Sequence, residues 1–320
     1  MFTQIFVVLG VIFCLSLLGY IIPQLIICFS KPLDLKQSYG GGWAFISSAS
    51  SGIGEALAKN VAAMGFNLII LGMNEKRLNS VEHEIKSNNP LIEVKIIRAD
   101  LSGDAEKVTE EVVKQIGGLD ISILYLNAGQ SIFELSSNPT EKTLQQFRSN
   151  IVTNQYIFNS LYPLIAKRKI TNDKQSKRGA VLFTASAGAF IYVPGLAVYA
   201  ATKTYLGHLG ECLATEAESF GVDIVSVYPG GVNTRLAERT EGAKVSKLFE
   251  KISQSPEQVA DLALSALGRF TRVDSGFQSI FMRILSKFID ANIFIPIMRV
   301  ALSGLIKKTV QKSKENEQKQ

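Results

Sequence analysis

The chain has 320 residues, 47% of them hydrophobic, and a formal net charge of +6. That length accommodates one large α/β domain with residues to spare at both ends, and the modest charge, without aromatic residues interleaved among the basic ones, excludes a nucleic-acid groove. Three cysteines (Cys14, Cys28, Cys212) and two histidines (His83, His208) at unrelated spacings offer neither a disulfide framework nor a metal site, as expected of a domain in a reducing compartment.

From Ile5 to Phe29 the chain runs 25 residues without a charge. At about 1.5 Å per residue, such a helix is long enough to cross a hydrocarbon core of roughly 30 Å. The rival reading, a cleaved signal peptide, wants a basic start, a shorter apolar core and a small-residue cleavage site. This chain starts Met-Phe-Thr-Gln and has Lys31-Pro32 after the run, so residues 1–30 are predicted to be an uncleaved membrane anchor. Lys31 and Lys36 flank its C-terminal side and no basic residue precedes it, which places the following domain in the cytosol by the positive-inside rule.

Residues 40–270 alternate strand-like apolar runs with helix-like segments. The predicted strands are Trp43–Ser47, Asn67–Leu71, Glu93–Arg98, Ile121–Leu126, Ala180–Thr184 and Val222–Tyr228. Between them lie predicted helices Glu55–Met64, Lys76–Asn88, Ala105–Gln115, Ile151–Lys167 and Thr202–Ser219, with apolar residues three and four apart. Such alternation implies right-handed crossovers and a doubly wound parallel sheet of Rossmann type. The basic stretch Lys167–Arg178 reads as a solvated connection.

The first predicted strand runs into Ser47-Ser48-Ala49-Ser50-Ser51-Gly52-Ile53-Gly54, where a helix begins. Glycines at a strand-to-helix turn let the backbone approach a pyrophosphate, which the free N–H groups and positive end of the helix dipole then hold. This segment resembles the Thr-Gly-x-x-x-Gly-x-Gly cofactor loop of the short-chain dehydrogenase/reductase family, with Ser47 at the Thr position and Ser48 at the first Gly. The resemblance implies cofactor contacts from Ser47, Ser50, Ser51, Gly52, Ile53 and Gly54. A serine at 48 requires backbone angles that a β-carbon tolerates.

After the second strand come Gly72-Met73-Asn74-Glu75-Lys76-Arg77. No acid stands at 72, where NAD-preferring relatives carry Asp, and no Arg at 73, where many NADP-preferring ones carry it. Without the acid a repulsion is absent, and Lys76 or Arg77 could reach a 2′-phosphate, so NADP(H) is favoured over NAD(H). Met73 would border the adenosine. Asp100-Leu101 resembles the family's adenine-contacting pair, and Leu126-Asn127-Ala128-Gly129 its Asn-Asn-Ala-Gly element with Leu126 replacing the first Asn.

Tyr199 and Lys203 are four residues apart at a predicted helix start and share a face. A phenol, with reference pKa about 10, needs help to serve as an acid–base near neutrality, and a nearby ammonium lowers that pKa. In the family, a serine 13 residues before the tyrosine polarises the substrate carbonyl, which Ser186 matches, and an asparagine holds a water in the relay to lysine, which Asn150 matches. The resemblance thus implies the catalytic set Asn150, Ser186, Tyr199 and Lys203, with Tyr199 and Lys203 also on the cofactor. Pro229-Gly230-Gly231-Val232-Asn233-Thr234 resembles the nicotinamide-side loop, giving Pro229, Gly230, Val232 and Thr234 as cofactor contacts.

The run Pro194–Tyr205 resembles the branch of the family containing 17β-hydroxysteroid dehydrogenases and very-long-chain 3-oxoacyl-CoA reductases, enzymes of the endoplasmic reticulum. Lys31-Pro32-Leu33 and Pro256-Glu257-Gln258-Val259-Ala260 also resemble 3-ketodihydrosphingosine reductase. Either likeness implies a ketone or alcohol on a lipid-like substrate met at a membrane, and family members often form homodimers. The other class of reading is a catalytically silent, cofactor-binding membrane scaffold, which Ser48, Leu126 and Met73 favour and the intact catalytic set opposes. The segment between Ala237 and Pro256 is where the family places substrate-binding elements. Residues 271–320 form an extension, whose apolar part Phe277–Ile306 is interrupted by Arg283, Lys287, Asp290 and Arg299. It reads either as an amphipathic helix on the membrane or as a helix packed on the domain. The tail from Lys307 is polar and expected to be disordered.

Overall fold

A computed structural model describes residues 2–137, 139–169, 178–234 and 252–304, together with 307, 310 and 311. The segment 237–256 therefore lies largely outside the described residues, as do most of the connection 167–178 and of the tail from 307.

All six predicted strands form, as β1 (Trp43–Ser47), β2 (Asn67–Gly72), β3 (Val94–Arg98), β4 (Ile121–Leu126), β5 (Gly179–Thr184) and β6 (Val222–Pro229). A seventh, β7 (Arg272–Ser275), has no counterpart in the sequence reading and pairs with β6 within the region read as extension. The sheet is parallel throughout, in the order β3-β2-β1-β4-β5-β6-β7. The order of strand addition reverses between β1 and β4, which opens a crevice beyond their carboxyl ends, the ligand position in folds of this kind.

Helices cover both faces. On one lie α3 (Gly52–Ala63), α4 (Glu75–Asn88) and α9 (Pro256–Ala266), packed through Leu57, Val61, Leu78, Val259 and Ala263 on Ile46, Leu68 and Val227. On the other lie α5 (Ala105–Ile116), α7 (Thr153–Ala166) and α8 (Ala197–Ala217), packed through Val112, Leu161 and Leu206 on Phe45, Leu124 and Phe183. The alternation of Phe45 and Ile46 between the two cores is the period-2 pattern of a strand buried on both faces. A short α6 (Glu141–Phe147) joins α7 through a π-turn at Arg148–Val152, where a straight helix start was predicted.

The N-terminal run is a single helix, α1 (Phe2–Phe29), and α2 (Leu35–Tyr39) follows it. Most of α1 is exposed, yet Tyr20, Gln24 and Ile27, on one face at its C-terminal end, are buried against the domain. Ile27 joins the core over α9, and the Gln24 amide, oriented to satisfy both partners, donates to the Asp274 carbonyl and accepts from the Asp274 N–H, at 3.1 Å each. A side chain thus serves β7, the edge strand, as a backbone partner would. The apolar extension is two helices, α10 (Phe277–Phe288) and α11 (Ala291–Ala301), broken where Asp290 caps α11 by accepting from Asn292 N.

Candidate active site

The turn after β1 is built around one strained residue. Ser48 has φ +55°, the sole non-glycine in the left-handed region among the described residues, so the serine at the family's first glycine takes a glycine's conformation. A β-carbon on Gly54 would strike the Ser48 carbonyl oxygen and the Asn127 amide, so only glycine fits there. Gly52 also has positive φ, +62°, and a β-carbon on it would come within 3.1 Å of the Thr234 methyl, bringing the loops after β1 and β6 edge to edge. Ser51 begins α3 without a side-chain cap hydrogen bond, so its side chain leaves the first-turn N–H groups to other partners. An open helix N-terminus lined by glycines with no room for side chains fits a dinucleotide pyrophosphate.

Ser47 is fully buried beneath this loop. Its hydroxyl accepts from Asn127 N and Ala128 N at 3.0 Å each and donates to the Tyr125 carbonyl at 3.3 Å. Its side chain therefore braces the loop and does not face the crevice. Asn127 continues the brace by donating to the Ser47 carbonyl and accepting from Thr184 Oγ1 at 3.0 Å, which joins β1, β4 and β5. Leu126, at the position of the family's first Asn, is core.

Ser50 packs against Gly72 at the end of β2, and Met73 beside it is exposed. Arg77 lines a groove with Ser50, Ser51, Gly52 and Thr234. Asp100 is exposed and closes its own turn, accepting from Ser102 N and Oγ, while Leu101 is buried with its carbonyl held by Thr153 Oγ1. Pro229 is buried at the end of β6, Gly230 N donates to the Ser275 carbonyl at 2.8 Å, and Val232 bridges to Gln254.

At the far end of the crevice stand the four expected catalytic residues. Ser186 caps the 3-10 turn Ala187–Phe190, accepting from Gly188 N at 3.0 Å, and its hydroxyl stands beside the phenol of Tyr199 in the first turn of α8. A β-carbon on Gly188 would lie 3.3 Å from both Ser186 Oγ and the Tyr199 ring, so the glycine keeps that pair together. Burial pushes the Tyr199 phenol up, and the Ser186 hydroxyl partly opposes it. Lys203 is buried one turn on and donates from Nζ to the Thr184 carbonyl at 2.8 Å. Burial of its ammonium brings its pKa down to about 8. The phenol is thus raised where a lowering by Lys203 is expected from the sequence, and the ammonium is engaged with the Thr184 carbonyl.

Asn150 sits inside the π-turn, a distortion that often marks functional sites. Its amide donates to the Gln130 carbonyl at 2.9 Å and Thr202 Oγ1 at 3.0 Å, and accepts from Gln130 N at 2.7 Å. The side chain clamps the loop after β4 to α8, with all these positions taken by protein. Gly129 lies between, since a β-carbon there would be 2.9 Å from Lys203 Nζ and 3.6 Å from Asn150 Oδ1.

Sequence reasoning missed the aromatic side of the site. Phe190, at the end of the Ser186 turn, stacks on Tyr228 at 5.2 Å and lies under the guanidinium of Arg272 at 4.9 Å. Tyr192 meets Phe294 of α11 edge-on at 5.7 Å. No motif marks these residues; only the aromatic density of Phe190-Ile191-Tyr192 hinted at an apolar wall.

A neutral phenol beside a serine hydroxyl, backed by a buried ammonium and reached from a dinucleotide cradle, is the equipment of a nicotinamide-dependent oxidoreductase that protonates a reduced carbonyl oxygen. The comparisons with known proteins agree. The family described as short chain dehydrogenase matches residues 42–244. A very-long-chain 3-oxoacyl-CoA reductase of Pyrenophora tritici-repentis is 32% identical over 252 residues, covering 78% of this chain and 70% of the relative. A 7beta-hydroxysteroid dehydrogenase of Collinsella aerofaciens is 28% identical over 246 residues, covering 76% and 89%. A solved structure described as giving insights into 7beta-hydroxysteroid dehydrogenase stereoselectivity superposes with TM-score 0.71 at 27% identity, over 83% of this chain and 99% of that one. The chain belongs to the short-chain dehydrogenase/reductase family and is an NAD(P)-dependent oxidoreductase acting on alcohol and ketone groups.

Proposed function

We propose that the protein is a membrane-bound reductase of the endoplasmic reticulum, with its catalytic domain in the cytosol, that uses NADP(H) on the ketone of a lipid, a 3-oxoacyl-CoA or a steroid. The observation that carries this reading is the Ser186–Tyr199 pair, set beside an aromatic wall and attached to a domain that begins with an apolar helix. The long-chain 3-oxoacyl-CoA and hydroxysteroid names of the relatives support the substrate class.

When bound, the dinucleotide supplies or accepts the hydride. Ser50, Ser51, Gly52, Ile53 and Gly54 would hold its pyrophosphate, with Met73, Asp100 and Leu101 toward the adenosine. Asn127, Ala128, Gly129, Pro229, Gly230, Val232 and Thr234 would flank the rest. Arg77 in the groove beside Ser50 supports a preference for the 2′-phosphate. Ser186 donates a hydrogen bond to the substrate oxygen. Tyr199, kept neutral by burial, gives its phenolic proton to the alkoxide as negative charge develops there. Lys203 holds a proton at Nζ with which the relay restores the phenol, and Asn150 keeps the loop and α8 in register. Exposed Tyr156, Leu164 and Tyr205 on α7 and α8 support a homodimer through those helices.

The test is turnover by the purified full chain in nanodiscs, with NADPH and NADH, on a panel of long-chain 3-oxoacyl-CoA, steroid ketone and 3-ketosphinganine. NADPH-dependent reduction of a 3-oxoacyl-CoA or steroid ketone supports the reading. Activity confined to 3-ketosphinganine would move the assignment to the sphingoid base, and none on any lipid ketone would end it.

A further inference from the structure

The way α1 meets the rest of the molecule fixes where the catalytic crevice faces. Gln24 pairs with Asp274 near the carboxyl end of β7, whereas Tyr39, just beyond the helix, donates to Asp223 Oδ2 at the amino end of β6, at 2.9 Å. The α1 axis thus follows the sheet edge, and its N-terminal half projects past the carboxyl ends of the strands, on the side where Ser186 and Tyr199 lie.

Helix α10 runs antiparallel along that projecting half. Lys287 Nζ lies 5.8 Å from the Tyr20 ring centre, and the rings of Phe288 and Phe13 meet edge-on at 4.9 Å. Of the uncharged run that begins at Ile5, only Ile5–Ile12 lie beyond Phe288, which at 1.5 Å per residue is about 12 Å, less than half of a 30 Å hydrocarbon core. A bilayer around α1 therefore reaches past Phe13 and takes in the end of α10 and the start of α11.

The side chains there suit that solvent. Phe281 and Phe288 of α10 are exposed, as are Ile293, Ile295, Ile297 and Val300 of α11, an apolar surface continuous with that of α1. Lys287 and Arg299 are long enough to reach the headgroups from it. Phe294 alone among the large apolar residues of α11 is buried, and it rests on Tyr192, two residues beyond the Ser186 turn.

We propose that the end of α10 and α11 are sunk in the membrane leaflet nearest the domain, so that the crevice opens into the acyl chains and substrate reaches Tyr199 sideways from the bilayer, past Phe294. The proposal rests on the lipid-ketone reading for its substrate, but the membrane contact is tested without catalysis. In a Trp43→Phe background, a tryptophan is placed by Ile297→Trp or, as a control at the amino end of the sheet, by Leu91→Trp, and the full chain is reconstituted in phosphatidylcholine vesicles with or without acyl-brominated lipid. Fluorescence from 297 should be quenched severalfold and that from 91 hardly at all; equal, weak quenching at both sites overturns the proposal. The double variant Ile293→Asp/Ile297→Asp separates access from chemistry. It should raise KM for a vesicle-borne long-chain ketone about tenfold while leaving kcat and KM for a short, water-soluble ketone unchanged. Equal loss on both ketones overturns lateral access. Quenching at 297 with no turnover of any lipid ketone would instead contradict the proposed function.

Discussion

Lys203 spends one of its three N–H donors on the Thr184 carbonyl, at 2.8 Å, and is held by burial at a pKa of about 8. At neutral pH the ammonium is therefore still charged and able to restore the Tyr199 proton. Reduction consumes that proton, so the reductive kcat should be flat through neutrality and fall as pH rises through about 8, where Lys203 deprotonates. Lys203→Met should lower kcat by about a hundredfold or more and remove that break. A pH profile unchanged in the variant would contradict the role given to Lys203.

Ser48 carries the strain of the phosphate turn. Its left-handed backbone costs about 1 kcal/mol relative to glycine, offset in part by the greater freedom glycine has when unfolded. Ser48→Gly should leave the fold intact and raise unfolding stability by up to about 1 kcal/mol, read as a small rise in Tm. Gly54→Ala should do the opposite, since its methyl has no room against the Ser48 carbonyl, and NADPH binding measured by calorimetry should weaken at least about tenfold.

Arg77 offers a direct handle on cofactor choice. Arg77→Ala should raise KM for NADPH by about ten- to a hundredfold, the scale of one charge-assisted phosphate contact, and change that for NADH little. Equal effects on both cofactors would remove the 2′-phosphate from its surroundings.

The sheet edge predicts a stability effect remote from the site. Gln24→Leu keeps the bulk and loses both hydrogen bonds to Asp274, leaving two backbone groups of β7 without their partner. Unfolding of the detergent-solubilised full chain should cost about 1–3 kcal/mol less, and hydrogen exchange at Asp274 N–H should speed up. An unchanged exchange rate would mean that α1 merely lies beside the strand.

Much of this was legible from the residues. Six strands were marked by apolar runs between helix-periodic segments, and the catalytic positions by their order, because a parallel sheet puts the residues after each strand at one end. The seventh strand was hidden because Arg272-Val273-Asp274-Ser275 is short and polar. Arg272 pairs with Asp274 beside it and with the distant Glu211, and the Asp274 backbone is met by Gln24 of α1, partners beyond the strand that no local pattern reveals. Gln24 was a visible clue, the lone amide deep in an apolar run, though its partner was not. The orientation of Lys203 toward a backbone carbonyl was illegible for the same reason: the acceptor is not a side chain.

The central claim is that Tyr199 is the proton donor for a carbonyl held by Ser186, and Tyr199→Phe tests it most directly. The substitution keeps the ring and removes only the hydroxyl, so the folded protein should bind NADPH as before. Single-turnover oxidation of bound NADPH by a long-chain 3-oxoacyl-CoA should slow by at least about a thousandfold relative to the unsubstituted chain. Reduction at a comparable rate in both proteins, or none in either, would contradict the account.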